Sequence, residues 1–117
     1  MEPTSSREAS SLTERLDQLR QNYLRELPAK LTALTLAWEQ AQAGDGAALE
    51  TLRLLVHKLA GSGTMFRCPA ISAVAHTLEG ELDQLLEHPL DPVRLGALRP
   101  ELDRLASAVA AYLEPST

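Results

Sequence analysis

Residues 47–63 read AALETLRLLVHKLAGSG, and the spacing of their apolar positions decides the fold. Leu49, Leu52, Val56, Leu59 and the small Gly63 recur three or four residues apart, the stripe of a helix with one buried face. Just upstream, Gly44-Asp45-Gly46 supplies residues that tolerate the left-handed backbone of a tight interhelical turn. Downstream, Pro69 opens another helix, carrying Ile71, Val74, Ala75, Leu78, Leu82 and Leu85. His88-Pro89-Leu90-Asp91-Pro92 then breaks the pattern, and a last helix from about Val93 buries Leu98, Leu102, Leu105, Val109 and Tyr112. Pro100 falls inside this stretch, so its first turn or two is expected to be kinked or separate.

Toward the N-terminus, residues 1–10 are polar and without periodicity, which predicts a flexible leader ahead of a domain spanning 11–114. Ser11-Leu12-Thr13-Glu14 has the form of a capping box and predicts the first helix start. Leu12, Leu16, Leu19 and Tyr23 then draw one apolar stripe to about Leu27. Pro28 either begins a second helix or kinks a continuous one, with Leu31, Leu34, Trp38 and Ala41 on its buried face. No stretch alternates with period two, and short loops make neighbouring helices antiparallel. The expected fold is all-α, an up-and-down antiparallel four-helix bundle with an additional N-terminal helix.

Composition narrows the function. A chain of 117 residues makes one domain, and 44% hydrophobic with 23% charged residues fits a soluble globular protein with an aliphatic core. A formal net charge of −5, with no basic stripe, argues against general nucleic-acid binding. One cysteine, Cys68, excludes a disulfide framework, so a reducing cytoplasm is the default and a buried structural thiol the expected role. There is no signal-peptide pattern and no apolar run of membrane-spanning length. No glycine loop followed by Lys-Ser or Lys-Thr is present, and no G-x-G-x-x-G after a strand, so no nucleotide site is expected.

The three histidines are the side chains whose ordinary titration falls near neutrality. At 100° per residue, His57 lies roughly 130° from the centre of its helix's apolar arc, on the exposed side or its boundary. Glu50, Arg53, Gly61 and Thr64 share its face, and Leu54 and Lys58 flank it. A glycine inside a helix costs about 1 kcal/mol relative to alanine, so Gly61 suggests that space beside the imidazole is wanted; a solvated His57 without a role, with Gly61-Ser62-Gly63 as a fraying helix end, is the alternative that spacing alone leaves open. His76 points away from its helix's stripe and His88 lies in a proline-rich loop, and both are expected to be solvated. No two histidines have metal-ligand spacing, so no zinc site is expected.

The segment His57-Lys58-Leu59-Ala60-Gly61-Ser62, followed by Phe66, Pro69-Ala70-Ile71-Ser72 and Ala75-His76-Thr77-Leu78-Glu79, resembles the histidine phosphotransfer (HPt) domains of phosphorelay signalling. The resemblance runs from about Leu12 to Leu113. It implies that His57 accepts a phosphoryl group from a receiver-domain aspartyl phosphate and passes it to another receiver aspartate, as a carrier without kinase or phosphatase activity. It further implies contacts to the phosphoryl group or receiver from Lys58, Arg53, Gly61, Leu54, Ser62 and Thr64. No cofactor is implied on this chain, with Mg²⁺ on the partner receiver. The implied partners are response-regulator receiver domains and a hybrid histidine kinase, and the implied state is a cytoplasmic monomer. Two positions depart from the common pattern: Ala60 stands where many members have lysine, and Arg67 where the family commonly has glycine. A bundle that only binds partners, and the same domain excised from a hybrid kinase, are the alternatives.

Overall fold

A computed structural model describes residues 3–114, with side chains from Ser10 onward. Among the described residues there are five helices and no strand: α1 Pro3–Gln42, α2 Gly46–Met65, α3 Pro69–Leu86, α4 Pro92–Gly96 and α5 Arg99–Leu113. Four of them, α1, α2, α3 and α5, form the bundle, each packed on its neighbours around a ring. The single-turn α4 leads into α5. The expected all-α four-helix bundle is therefore observed, with the additional N-terminal helix merged into α1.

Local chemistry sets the boundaries. Asp45 caps α2, its carboxylate accepting from the N–H groups of Ala47 (3.0 Å) and Ala48 (3.3 Å). Gly44, at φ +107°, turns the chain into that cap. Asp91 caps α4 in the same way, and Pro100 stands in the first turn of α5, where its missing N–H costs nothing. The chain from Val93 onward is thus two helices, separated where Pro100 predicted a break.

The end of α2 accounts for Arg67, one of the two departures from the pattern of the resemblance. Cys68 N–H reaches back to Gly63 O (2.6 Å) and Arg67 N–H to Thr64 O (3.2 Å), the two bonds of a Schellman motif. That motif needs a left-handed residue, and Arg67 supplies it at φ +59°. Glycine does so without steric cost, which is the physical sense of the more usual residue there.

The N-terminal half departs from expectation in three ways. The helix begins at Pro3, so residues 3–10 are helical rather than a loose leader, while Met1 and Glu2 lie outside the described residues. Ser11 and Glu14 are therefore inside a helix: upstream of them nothing breaks it before Pro3, whose fixed φ suits a first turn. Second, the helix runs through Pro28 without interruption, so the two expected helices are one of 40 residues. Tyr23 and Leu27 before the proline and Leu34, Ala37 and Ala41 after it are buried in one core, and that packing outweighs the lost hydrogen bond. Third, Leu12, Leu16 and Leu19 are exposed at 59%, 60% and 47%, whereas Tyr23, the next on the stripe, is buried. At 1.5 Å per residue α1 is about 60 Å long and α2 about half that. α2 ends opposite Arg20, whose Nε donates to Phe66 O at 2.8 Å, and Asp17 still meets Arg67 of the following loop, so it is the turns of α1 before these contacts that project past the end of α2.

The core is aliphatic, as composition requires. Leu52, Val56 and Leu59 of α2, Ile71, Leu78 and Leu82 of α3, and Leu95, Leu105 and Val109 are buried. Trp38 closes the α1–α5 side, donating Nε1–H to Leu95 O (3.1 Å) beneath the Arg99 guanidinium, 5.5 Å from the ring centroid. Cys68 is free and fully buried. No helix is long and apolar enough to cross a membrane, among the described residues.

Candidate functional site

The α2–α3 hairpin builds the site. Three side-chain pairs cross it at one antiparallel register, each with the same residue-number sum: Arg53 with Asp83, His57 with Glu79, and Thr64 with Ser72. The register is locked near the loop, where the helices approach closest. A Cβ on Gly63 would lie 3.0 Å from Ser72 N and 3.3 Å from Cys68 O, so that contact accepts no side chain. Ser72 Oγ is buried there and donates to Ala60 O at 2.7 Å.

Two turns away from this contact, the His57 side chain is 57% exposed. Its Nδ1 lies 2.7 Å from Glu79 Oε2, and the Glu79 side chain is only 14% exposed. A carboxylate accepts, so Nδ1 carries the proton and, in a neutral ring, Nε2 keeps the free lone pair. Arg53 Nη2 is 3.4 Å from the same Glu79 oxygen, and its Nε is 2.9 Å from Asp83 Oδ1. A row of Asp83, Arg53, Glu79 and His57 thus runs along the outer edge of the hairpin and ends at the exposed imidazole of His57.

The sequence-predicted residues fall on both flanks of His57. Arg53 lies on the α3 flank, already paired with two carboxylates. Lys58 lies on the α1 flank, where it shares a shallow dent with Lys30, Leu55, Leu59 and Ser62. Leu54 is exposed at 46%, as an apolar residue without a core to serve. Gly61 is exposed, and a Cβ there would meet nothing within 4 Å, so no neighbour in the chain requires a glycine. Ser62 turns from His57 toward α1, its Oγ 2.9 Å from Tyr23 Oη. Burial pushes the Tyr23 phenol up, with the Ser62 hydrogen bond opposing. Thr64 lies beyond Gly61 toward the loop, its hydroxyl shared between Ser72 Oγ (2.7 Å) and Ala60 O (3.3 Å). Ala60, where the resemblance's common pattern has lysine, is buried and its carbonyl accepts from Ser72 Oγ of α3, so this position packs the hairpin. His76 and His88 are exposed, as expected.

Glu79 and Asp83 are the residues that sequence reasoning missed as partners of the site. Glu79 was visible as the end of the Leu78-Glu79 signature, but its link to His57 depends on the hairpin register. Among the described residues no group of three or more His, Cys, Asp or Glu is arranged to hold a metal ion.

The sequence matches the family model for the Hpt domain over residues 18–108, well over half of the chain and inclusive of the whole hairpin. The chain belongs to the Hpt family. The resemblance read from the His57 segment is thereby shown, and with it the general role of an Hpt domain, a phosphoryl-carrier module of phosphorelays. Its partners are in general terms the two-component proteins of such relays. No curated protein and no solved structure matches the sequence.

Proposed function

We propose that His57 is the phosphoacceptor of this Hpt domain, receiving a phosphoryl group from a receiver-domain aspartyl phosphate and returning it to the aspartate of another receiver. The observation that carries this reading is the exposed imidazole with Nδ1 held 2.7 Å from Glu79, which directs Nε2 outward as the nucleophile. The Nε2 lone pair forms the new N–P bond as the P–O bond to the receiver aspartate breaks, and that electron pair leaves on the aspartate carboxylate. The ring keeps its Nδ1 proton and becomes cationic. Glu79 lies where that positive charge appears and offsets it. The reverse sequence returns the phosphoryl group.

The transfer is positional and electrostatic, and the receiver supplies Mg²⁺ and most of the charge stabilisation. This chain supplies an oriented nitrogen and a surface the receiver can close over. The open turn at Gly61 gives the receiver room, exposed Leu54 offers an apolar contact, and Lys58, next to His57 in the chain, offers a cation on the α1 flank. Arg53, Ser62 and Thr64 border this surface, with their polar groups engaged inside the hairpin or with α1. A hybrid histidine kinase is the expected source of the donor receiver, and the domain acts as a monomer in the cytoplasm.

The test is incubation of the protein and of His57→Gln with phosphorylated receiver domains. Acid-labile, alkali-stable label on the parent alone supports the reading. Equal labelling of both proteins, or signalling that persists through His57→Gln, would contradict it and favour a bundle that only binds partners.

A further inference from the structure

Within the row on the hairpin edge, exposure falls and rises again: the side chains of Asp83, Arg53, Glu79 and His57 are 49%, 37%, 14% and 57% exposed. The most covered member is a carboxylate, and a covered carboxylate needs donors or positive charge around it. Glu79 has two such neighbours, Arg53 and His57, both at Oε2. If Arg53 were absent, the imidazole would be left as the partner of that charge. A ring recruited as a cation carries protons on both nitrogens and has no lone pair at Nε2. The other charged and titratable groups near the ring lie elsewhere: Lys58 and Lys30 line the dent on the α1 flank, and His76 stands one turn before Glu79 on α3.

Arg53 is also clamped at both ends. Its Nε is 2.9 Å from Asp83 Oδ1 while Nη2 faces Glu79, so the guanidinium spans one turn of α3. We propose that Arg53 is a positioning residue, which meets the charge of Glu79 and fixes that carboxylate so that His57 stays a neutral, Nδ1-protonated ring presenting Nε2, with Asp83 as the anchor of Arg53. This differs from the direct phosphoryl or receiver contact that the sequence alone implied for Arg53. It rests on the reading of His57 as phosphoacceptor.

The test compares Arg53→Gln, Arg53→Lys and Asp83→Asn with the parent in the full chain. Two readouts are needed: the ring ¹⁵N–¹H spectrum of unphosphorylated His57, and its phosphorylation by phosphoramidate, a donor too small to dock. Arg53→Gln is expected to lose the dominance of the neutral Nδ1–H form at pH 7. It is also expected to slow labelling by phosphoramidate about tenfold, the scale of one hydrogen bond to a charged group, with helicity unchanged. Arg53→Lys is expected to restore most of both. Asp83→Asn, which keeps Arg53 but loosens it, is expected to shift both in the same direction by about twofold, and it carries the test if Arg53→Gln folds poorly. An unchanged ring spectrum in Arg53→Gln and Asp83→Asn would overturn the proposal. So would a slowing confined to receiver-dependent transfer, which would make Arg53 a receiver contact. Failure of the parent to take label on His57 would contradict the phosphotransfer reading, while the ring spectrum would still decide the part played by Arg53.

Discussion

A Cβ added to Gly63 would sit 3.0 Å from a backbone nitrogen of α3, whereas one added to Gly61, a single residue apart from it by Ser62, would meet nothing within 4 Å. Both glycines pay the helix penalty of about 1 kcal/mol relative to alanine. At Gly63 the return is inside the molecule, in the close approach that fixes the register of α2 on α3 and so brings Glu79 to His57. At Gly61 there is no return inside the molecule, and the open surface one turn from His57 points to a partner. On the proposed reading, the two glycines separate what the bundle needs from what a docking receiver needs, on one helix and within three residues.

The comparison can be broken at either glycine. Gly63→Val forces methyl groups into the Ser72 and Cys68 backbone and is expected to cost about 3 kcal/mol, read by denaturant unfolding. A variant as stable as the parent would show that the hairpin has slack and that Gly63 does not set its register. Gly61→Glu is expected to leave helicity near normal and slow receiver-dependent transfer about a hundredfold, the scale of a small misplacement of reacting groups. Transfer at the parent rate would remove the partner's claim on that glycine. Gly61→Ala sharpens the point: with open space for its methyl, it should stabilise the protein by about 1 kcal/mol, and a loss would mean that the chain itself needs Gly61. Arg67→Gly is the smallest change. Relief of the left-handed φ of +59° should add a few tenths to about 1 kcal/mol, less whatever the exposed Arg67–Asp17 contact at 3.4 Å contributes, and thermal unfolding reads the sum.

The same physics separates what was legible in the sequence from what was not. The stripes of α2, α3 and α5 were readable because each lies between two other helices, so an apolar face and a buried face coincide. Leu12, Leu16 and Leu19 have the same periodicity, but periodicity marks a face fit for burial and not the presence of a neighbour, and α2 has already ended at Met65. Pro28 left two structures open, and the choice fell to packing on both sides of it, from Tyr23 to Ala41. In the site, the exposure of His57 and the gap at Gly61 followed from angles within one helix. The Glu79 contact lies 22 residues away in sequence and required the register between two helices, which Gly63 sets through a contact that no single-helix wheel displays. Ser62 shows the converse: it is near His57 in sequence, yet its hydroxyl belongs to Tyr23 on α1.

In the proposed reaction Glu79 holds the Nδ1 proton and leaves Nε2 of His57 to take the phosphoryl group. The most direct measurement is ³¹P- and ¹⁵N-detected NMR on the uniformly ¹⁵N-labelled protein after phosphorylation by a receiver. A one-bond phosphorus coupling to Nε2 of His57 with the Nδ1 proton retained is expected, and phosphorus bonded to Nδ1 or to any other side chain would overturn the assignment of Nε2 as the nucleophile.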